Sequence, residues 1–188
     1  MVEIRWHGRG GQGAKTASQL LALAQLEAGL FVQAFPEYGP ERSGAPMLAY
    51  NRVDSCRIRR HDGVQHPDCV AVLDVSLWRE TDPTEGLRPE GLLVVNSEQP
   101  PEEMARASGF GGRIWCVPGY ALAKAVGSAY ANVVLVGVLA RALGDVPEAV
   151  LTDAVADVLG ARLDATRLMA TLAATRSGYR WTPKERVA

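Results

Sequence analysis

The chain has 188 residues, of which 47% are hydrophobic and 22% charged, and its formal net charge is −1 at pH 7. This length allows one domain with a substantial core, and the near-zero charge gives no bulk attraction to nucleic acid or to an anionic membrane. The longest apolar run, Val133–Ala140, is far shorter than the ~20 residues of a transmembrane helix, and charged residues interrupt the stretch where a signal peptide would lie. We therefore expect a cytoplasmic protein with neither nucleic acid nor membrane as a partner.

The first elements form a strand, a glycine-rich loop, a helix and a second strand. Apolar and polar residues alternate over 2–6, which predicts a strand, and four glycines fall within residues 8–13. A helical pattern begins at Ala14 and stops at Gly29, and residues 30–35 predict the second strand. Since sequential strands of such a unit usually neighbour each other, the loop after the second strand is expected beside the glycines.

The middle of the chain reads as further strands. Residues 47–53 predict one strand, and 56–60 are a candidate partner for it. Continuous apolar runs at 69–73, 91–95 and 113–117 are typical of parallel strands that are buried on both faces. The predicted fold is α/β: a single open, mostly parallel sheet with helices on both faces and a Rossmann-like glycine loop after the first strand.

The last third of the chain is predicted to be helical. We expect a single α/β domain over residues 1–175, followed by a basic, extended C-terminal tail over 176–188. The helices are predicted at 121–126, 130–143, 147–159 and 164–174.

The three cysteines, Cys56, Cys69 and Cys116, are dispersed and show no CxxC or Cys/His spacing. That spacing does not match a zinc or iron–sulfur site, and an odd number argues against a disulfide framework. Cys69 and Cys116 lie in apolar strand-like runs, so we expect both to be small buried hydrophobic residues. We expect no metal site in this chain.

The glycine loop GRGGQG, residues 8–13, fits the pattern G-x-G-x-x-G between a strand and a helix. Such glycines permit a tight turn, and the N-terminus of the helix offers unpaired N–H groups to an anion. The dinucleotide version also needs an acidic residue at the end of the second strand, whereas here Glu37 comes only after Pro36. The pattern alone leaves a phosphate-bearing ligand and a purely structural turn both open, and disfavours NAD.

The segment PEYGPERSGAP, residues 36–46, is too rich in proline, glycine and charge for regular structure. Arg42 offers a planar guanidinium that suits phosphate, and Ser43 adds a hydroxyl group. The alternative is a solvated surface loop in which Arg42 pairs with Glu41 or Glu37. Two glycine-bearing loops around one strand end strengthen the case for a binding site, and both interpretations stay open.

Taken together, HGRGGQG at residues 7–13 and AFPEYGPERSGAP at 34–46 resemble the gamma subunit of 2-oxoacid:ferredoxin oxidoreductases, most closely the pyruvate type. The resemblance covers about residues 4–50. The rest of the chain agrees in layout, including Pro67-Asp68 before a buried strand and Ala131-Asn132 at the start of a late apolar helix.

The resemblance implies a function that composition does not show. These enzymes convert a 2-oxoacid, coenzyme A and oxidised ferredoxin into acyl-CoA, carbon dioxide and reduced ferredoxin. It implies that thiamine diphosphate, magnesium and iron–sulfur clusters lie on partner subunits, called alpha, beta and delta, and that ferredoxin is reached through the complex. The gamma chain is associated with coenzyme A. The same type of complex acting on 2-oxoisovalerate or another 2-oxoacid stays open, as does a purely structural subunit.

The resemblance also suggests which residues would bind coenzyme A. No catalytic acid or base is expected in this chain, because thiamine diphosphate carries the chemistry. Asn132 is expected to cap its own helix, with contact to the site as the alternative. The predicted coenzyme A contacts are Gly10, Gly11, Gln12 and Gly13 in the first loop and Arg42 and Ser43 in the second.

Overall fold

The computed structural model describes residues 1–37 and 44–183. Within them the chain forms one six-stranded sheet with helices on both faces, as the apolar strand runs predict. No helix in these ranges is long and apolar enough to cross a membrane. The strands are β1 (Val2–Arg9), β2 (Phe31–Glu37), β3 (Pro46–Asp54), β4 (Cys69–Val72), β5 (Leu92–Asn96) and β6 (Arg113–Val117). The helices are α1 (Ala14–Glu27), α2 (Pro101–Ser108), α3 (Gly119–Ala125), α4 (Ala131–Leu143), α5 (Glu148–Leu159) and α6 (Ala165–Arg180).

The strand order is β2-β3-β1-β4-β5-β6. The pairs β1/β4, β4/β5 and β5/β6 are parallel, whereas β3 is antiparallel to both β1 and β2. The expectation that β1 and β2 would be neighbours is therefore wrong, because β3 lies between them. The short connection from β2 permits an antiparallel return but no crossover. The full length of β3 then pairs with β1, from Pro46 opposite Arg9 to Val53 opposite Val2.

The two faces of the sheet are covered by different layers, and β4 shows the alternation clearly. Cys69 and Ala71 face a large apolar layer that includes α1, α4, α5 and α6. Val70 and Val72 face a smaller layer formed by α2 and a short 3-10 turn at Val75–Arg79. Because both faces of β4 are covered, the side chains on both faces are buried, and the strand consists of apolar residues without interruption.

The candidate strand at 56–60 is not formed. Side-chain contacts hold the segment after β3 in place instead. The buried Arg52 pairs with Glu3 at 2.7 Å and donates a hydrogen bond to the carbonyl of Gly63, in this segment, at 3.2 Å. Arg60 pairs with Asp62. These contacts satisfy the charged groups without a ladder of backbone hydrogen bonds.

The expected extended conformation from residue 176 is wrong for residues 176–180, because α6 continues to Arg180. Gly178 lets this part of α6 pack closely against α4. A Cβ at Gly178 would lie 2.0 Å from the carbonyl oxygen of Val134 in α4. The lack of a side chain lets the two helices pack backbone to backbone. Tyr179 strengthens the contact by donating to the carbonyl of Val146 at 2.9 Å. Trp181 packs edge-on against Trp115, with ring centroids 6.2 Å apart.

The cysteines lie in three separate environments: Cys69 is buried in β4, Cys116 is half-buried in β6 and Cys56 is exposed. Burial raises the pKa of the Cys69 thiol well above its usual range. The expectation that Cys69 is a buried hydrophobic residue is confirmed, and that for Cys116 holds in part.

Candidate functional site

The glycine loop follows the carboxyl end of β1 and lies beside the residues that lead into β3. The Gly10 N–H donates to the carbonyl of Ala45 at 2.9 Å, and the Gly44 N–H donates to the carbonyl of Gly10 at 3.4 Å. The expected proximity of the two glycine-bearing segments is therefore confirmed for these residues. It arises from the antiparallel pairing of β3 with β1 and not from adjacent β1 and β2 strands.

Two glycines of the loop have positive φ angles but very different surroundings. Gly13 has φ +80°, and a Cβ at this position would lie 2.5 Å from Nδ2 of Asn132. Gly11 has φ +95°, and a Cβ there would have no atom of the described residues within 4 Å. Gly13 is thus required for packing within the chain, whereas the open space at Gly11 allows another molecule to approach the backbone closely.

Helix α1 begins directly after Gly13 and has no side-chain cap and no acidic residue in its first turn. Its first intrahelical bond runs from the Ala17 N–H to the Gly13 carbonyl at 2.8 Å. The N–H groups of Ala14 and Thr16 therefore have no acceptor within the helix. These N–H groups and the helix dipole together make this end suitable for an anion such as phosphate.

The side chain of Gln12 holds the loop closed. Its Oε1 accepts from the Arg9 N–H at 2.8 Å, and its Nε2 donates to Oδ2 of Asp74 at 2.7 Å. The amide thus fixes the loop to itself and to the end of β4. Its predicted contact with a ligand stays a prediction, and in this structure both amide atoms have partners within the chain.

Arg9 and Asp74 form a polar network that the sequence analysis missed. The guanidinium of Arg9 donates to Oγ of Ser76 at 2.8 Å, to Glu80 at 2.7 Å and to the carbonyl of Gly44 at 3.0 Å. Burial raises the pKa of Asp74, but hydrogen bonds from Ser76 and Gln12 and the charge of Arg9 outweigh burial, so the net shift is downward. The network joins both glycine-bearing segments to the end of β4. The available signal was the position of Asp74 directly after a buried strand.

Asn132 does not cap its own helix, contrary to expectation. The N-cap residue of α4 is Tyr130, and Asn132 is the second residue inside the helix, so it does not occupy the capping position. Instead, Nδ2 of Asn132 donates to the carbonyl of Gly13 at 3.2 Å across the interface between α4 and α1. Asn132 therefore positions the N-terminal end of α1.

A cavity of about 360 Å³ adjoins this network at the carboxyl ends of β4 and β5. Asn96 closes its inner wall by donating to the carbonyl of Leu73 at 3.1 Å and accepting from the Gly119 N–H at 3.0 Å. Asp74 belongs to both the cavity and the Arg9 network. Ligands of open α/β sheets bind at this edge, so the loop and cavity form one candidate site.

The remaining predicted site residues, Arg42 and Ser43, lie outside the residues that the structure describes. Their phosphate contacts stay predictions. The structure places Gly10, Gly11, Gln12 and Gly13 together at one end of the sheet, and it places Gly44 against Gly10. The end of the second predicted segment, at Gly44 and Ala45, therefore lies next to the first.

The chain matches the family model for pyruvate ferredoxin/flavodoxin oxidoreductase over residues 3–181. It is 42% identical to the pyruvate synthase subunit PorC of Thermotoga maritima over 94% of this chain and 92% of that one. The chain belongs to this family. It is also 42% identical to a common gamma subunit of pyruvate/ketoisovalerate oxidoreductases from Thermococcus kodakarensis, over 77% of this chain and 79% of that one.

Solved structures of the family agree with this assignment. The pyruvate oxidoreductase subunit PORC of Thermotoga maritima, classified EC 1.2.7.1, superposes with a TM-score of 0.82 at 40% identity, over 95% of this chain and 94% of that one. A 2-oxoglutarate:ferredoxin oxidoreductase from Magnetococcus marinus contains the same fold within a longer chain, with a TM-score of 0.73 at 22% identity. This chain covers 33% of that one, and the likeness is one of fold.

Proposed function

We propose that this chain is the gamma subunit of a multi-subunit pyruvate:ferredoxin oxidoreductase. The complex would convert pyruvate, coenzyme A and two oxidised ferredoxins into acetyl-CoA, carbon dioxide, two reduced ferredoxins and a proton. The observation that carries the proposal is the 42% identity to a pyruvate synthase subunit over nearly the whole length of both chains. The names of the relatives support a multi-subunit enzyme, and we propose alpha, beta and delta chains as its partners, ferredoxin as its electron acceptor and a cytoplasmic location.

The part of this chain in the reaction is to bind coenzyme A. A pyrophosphate would accept hydrogen bonds from the N–H groups of Ala14 and Thr16, while the lack of a side chain at Gly11 lets it reach the backbone. Arg42 and Ser43 would hold the 3′-phosphate or the pantetheine arm. The Arg9 and Gln12 contacts fix the loop in this shape before the ligand arrives, which lowers the entropic cost of binding.

The redox and decarboxylation chemistry belongs to the partner subunits. An iron–sulfur cluster is typically held by four cysteines, and the three of this chain lie in separate elements, with one exposed and one buried. Thiamine diphosphate with its magnesium, bound on the partners, would supply the electron sink that decarboxylation of a 2-oxoacid needs. This chain would position coenzyme A and exclude water, and we assign it no catalytic acid or base.

Reconstitution tests the assignment directly. We expect a complex that contains this chain with alpha, beta and delta partners to reduce ferredoxin when both pyruvate and coenzyme A are present. The isolated chain would be inactive, and the complex without it would lose the response to coenzyme A. An intact complex that turns over pyruvate and coenzyme A equally well without this chain would contradict the proposal.

A comparison of two glycines tests the binding site. Gly11 (φ +95°) and Gly29 (φ +88°) flank opposite ends of α1, and a Cβ at either meets no atom of the described residues within 4 Å. G11A and G29A should lose similar stability, because a side chain in the left-handed region costs about 1–2 kcal/mol at each. Only G11A should weaken coenzyme A binding, by tenfold or more. Equal affinity in G11A and the wild-type complex would exclude close approach of the ligand to this backbone.

A second substrate is favoured by one comparison. The relative from Thermococcus kodakarensis is a subunit common to pyruvate and ketoisovalerate oxidoreductases. We propose that this chain also serves a complex that acts on 2-oxoisovalerate, with the 2-oxoacid pocket supplied by other subunits. Profiling pyruvate, 2-oxoisovalerate and 2-oxoglutarate with each set of partner subunits tests this. A substrate range that changes with the partners supports it, and one that changes with substitutions in this chain contradicts it.

A further inference from the structure

A second cavity, of about 400 Å³, lies against the sheet on the face opposite to α1. We call it the His7 cavity. It is separate from the glycine loop site, since neither Asp74 nor any loop glycine lines it. It is lined by Arg5, His7, Glu37, Pro46, Met47, Leu48, Leu77, Thr81, Asp82 and Glu85.

The floor of the cavity contains a buried imidazole with an unused donor. His7 is 6% exposed, and its Nε2 accepts a hydrogen bond from Nε of Arg5 at 3.0 Å. A neutral imidazole that accepts at Nε2 carries its proton on Nδ1. Burial, followed by the charge of Arg5, lowers the pKa of His7 to about 3, so the ring is neutral at physiological pH.

The Nδ1 proton of His7 has no acceptor among the described residues. Three side-chain polar atoms in the described ranges are sealed from solvent without a partner, and Nδ1 is not among them, so it is reached from the cavity. Water in the cavity can accept from Nδ1, so an occupant has to supply an acceptor in its place. An occupant without an acceptor would leave this donor unpaired, which is unfavourable by about 1–3 kcal/mol.

The electrostatic character of the cavity is acidic. Three carboxylates line it, those of Glu37, Asp82 and Glu85, and each acts on the charge of Arg5. Among the described lining residues Arg5 is the one cation, and its Nη2 already donates to the carbonyls of Pro83 and Glu85. The carboxylates of these described residues exceed their positive charge, which favours a cationic occupant over an anionic one.

The walls provide an apolar surface between the buried His7 and the acidic side chains. Met47, Leu48 and Leu77 line this part of the cavity. A methylene chain can pack there while its charged end stays near the carboxylates, as lysine and arginine side chains do at protein surfaces. The arrangement matches a molecule with three parts: a hydrogen-bond acceptor, a short apolar stem and a cationic head.

We propose that the His7 cavity binds a basic amino-acid group, whose carbonyl accepts from Nδ1 of His7 and whose guanidinium or ammonium head pairs with Glu37 and Asp82. The source is either a free basic amino acid or an arginine or lysine residue of a partner subunit. The binding chemistry is the same in both cases. The cavity shares no described residue with the glycine loop, so either proposal can fail without the other.

The first arm of the test uses the isolated chain and two probes, arginine amide and citrulline amide, in which an uncharged ureido group replaces the guanidinium. The readout is the NMR signal of the His7 ring nitrogen and its proton, with binding followed by titration. We expect arginine amide to shift the Nδ1 signals in a saturable way and citrulline amide to bind at least fivefold more weakly. D82N should weaken arginine amide two- to fivefold, which is the range for one exposed ion pair.

A matched control uses the exposed Asp157 of α5, far from the cavity in the fold. D157N removes the same charge and should leave the affinity for arginine amide unchanged. No shift of the His7 signals at saturating arginine amide would overturn the proposal. Equal binding of citrulline amide, or an equal effect of D157N and D82N, would overturn the cationic character of the ligand.

The second arm identifies the source of the group. Assembly of the chain with its partner subunits is measured by biolayer interferometry at increasing arginine amide concentrations. If a partner side chain fills the cavity, arginine amide competes with assembly, and D82N weakens assembly by a similar factor. If the ligand is a free amino acid, assembly is unaffected and the assembled complex still binds arginine amide. Both results support the proposed chemistry. It is overturned if arginine amide neither competes with assembly nor binds to the assembled complex.

Discussion

Replacement of Gly13 by alanine tests how the glycine loop is held. Gly13 is the N-cap residue of α1 in the left-handed conformation, with φ +80° and ψ 28°. A Cβ at this position would lie 2.5 Å from Nδ2 and 3.1 Å from Cγ of Asn132. The alanine methyl group therefore meets two obstacles, an unfavourable backbone conformation and a side chain that already occupies the space.

The structure gives the size of each contribution. The left-handed conformation is unfavourable for alanine by about 1–2 kcal/mol. Asn132 must move to make room, which breaks its 3.2 Å hydrogen bond to the Gly13 carbonyl, and such a bond contributes about 1 kcal/mol. G13A should therefore lower the free energy of unfolding by about 2–3 kcal/mol.

A double-mutant cycle separates the two contributions. G13A, N132A and the double variant are unfolded in urea, and their free energies of unfolding are compared. Removal of the Asn132 side chain vacates the space, so G13A in the N132A background should show the backbone contribution alone. We expect a coupling of about 1 kcal/mol between the two substitutions. Additive effects would refute the direct contact, and a loss below about 0.5 kcal/mol in G13A would refute the left-handed conformation itself.

Three further substitutions test other parts of the structure. The pKa of His7 falls from 6.5 to about 3 on folding. The unfolded chain therefore takes up the proton first, and the free energy of unfolding decreases as the pH falls below 6.5. In H7Q this decrease between pH 8 and pH 5, measured by urea unfolding, should be smaller by about 2 kcal/mol. Q12E places a second carboxylate against Asp74, 2.7 Å from the present amide nitrogen, and should cost about 1–2 kcal/mol at pH 7, with recovery below pH 4. G178A directs a methyl group at the Val134 carbonyl, 2.0 Å away, and should lower the melting temperature through a loss of about 2–3 kcal/mol.

Each of these substitutions has a control. The glutamine in H7Q can still accept from Arg5, so an unchanged pH dependence would mean that His7 does not titrate differently in the folded and unfolded chains. Q12L removes both hydrogen bonds without adding charge, and its stability should not recover at low pH. S177A lies one residue before Gly178 in the same helix and should change stability by less than about 0.5 kcal/mol. Equal losses in S177A and G178A would refute the close helix contact.

Local sequence patterns predicted most of the helices and strands, because the order of apolar and polar residues in a segment indicates which of its side chains are buried. The apolar run at 69–73 became β4, buried on both faces, and the run at 130–143 became α4, which ends at Gly144. The strand order could not be obtained in this way. Nothing in the pattern of residues 47–53 distinguishes a strand at the edge from one between β1 and β2, since pairing depends on distant partners.

In the candidate site, too, local sequence predicted some features and could not predict others. The glycines after β1 marked the position of the turn, and their positive φ angles at Gly11 and Gly13 explain the residue type. The contacts of Gln12 with Asp74 and of Asn132 with Gly13 join residues that are 62 and 119 positions apart. Such contacts depend on how β4 and α4 pack against the loop, which local sequence does not encode. Likewise, Gly178 looked like a tail residue because its partner, Val134, lies in a different helix.

The central claim, that coenzyme A is held at the glycine loop and the start of α1, is tested most directly by hydrogen exchange of the assembled complex with and without coenzyme A. The amide hydrogens of Gly11, Ala14 and Thr16 should exchange more slowly when coenzyme A is bound, because phosphate oxygens accept from them. Those in the last turns of α1 should be unchanged. Saturating coenzyme A that protects partner subunits and leaves residues 10–16 of this chain unchanged would contradict the account.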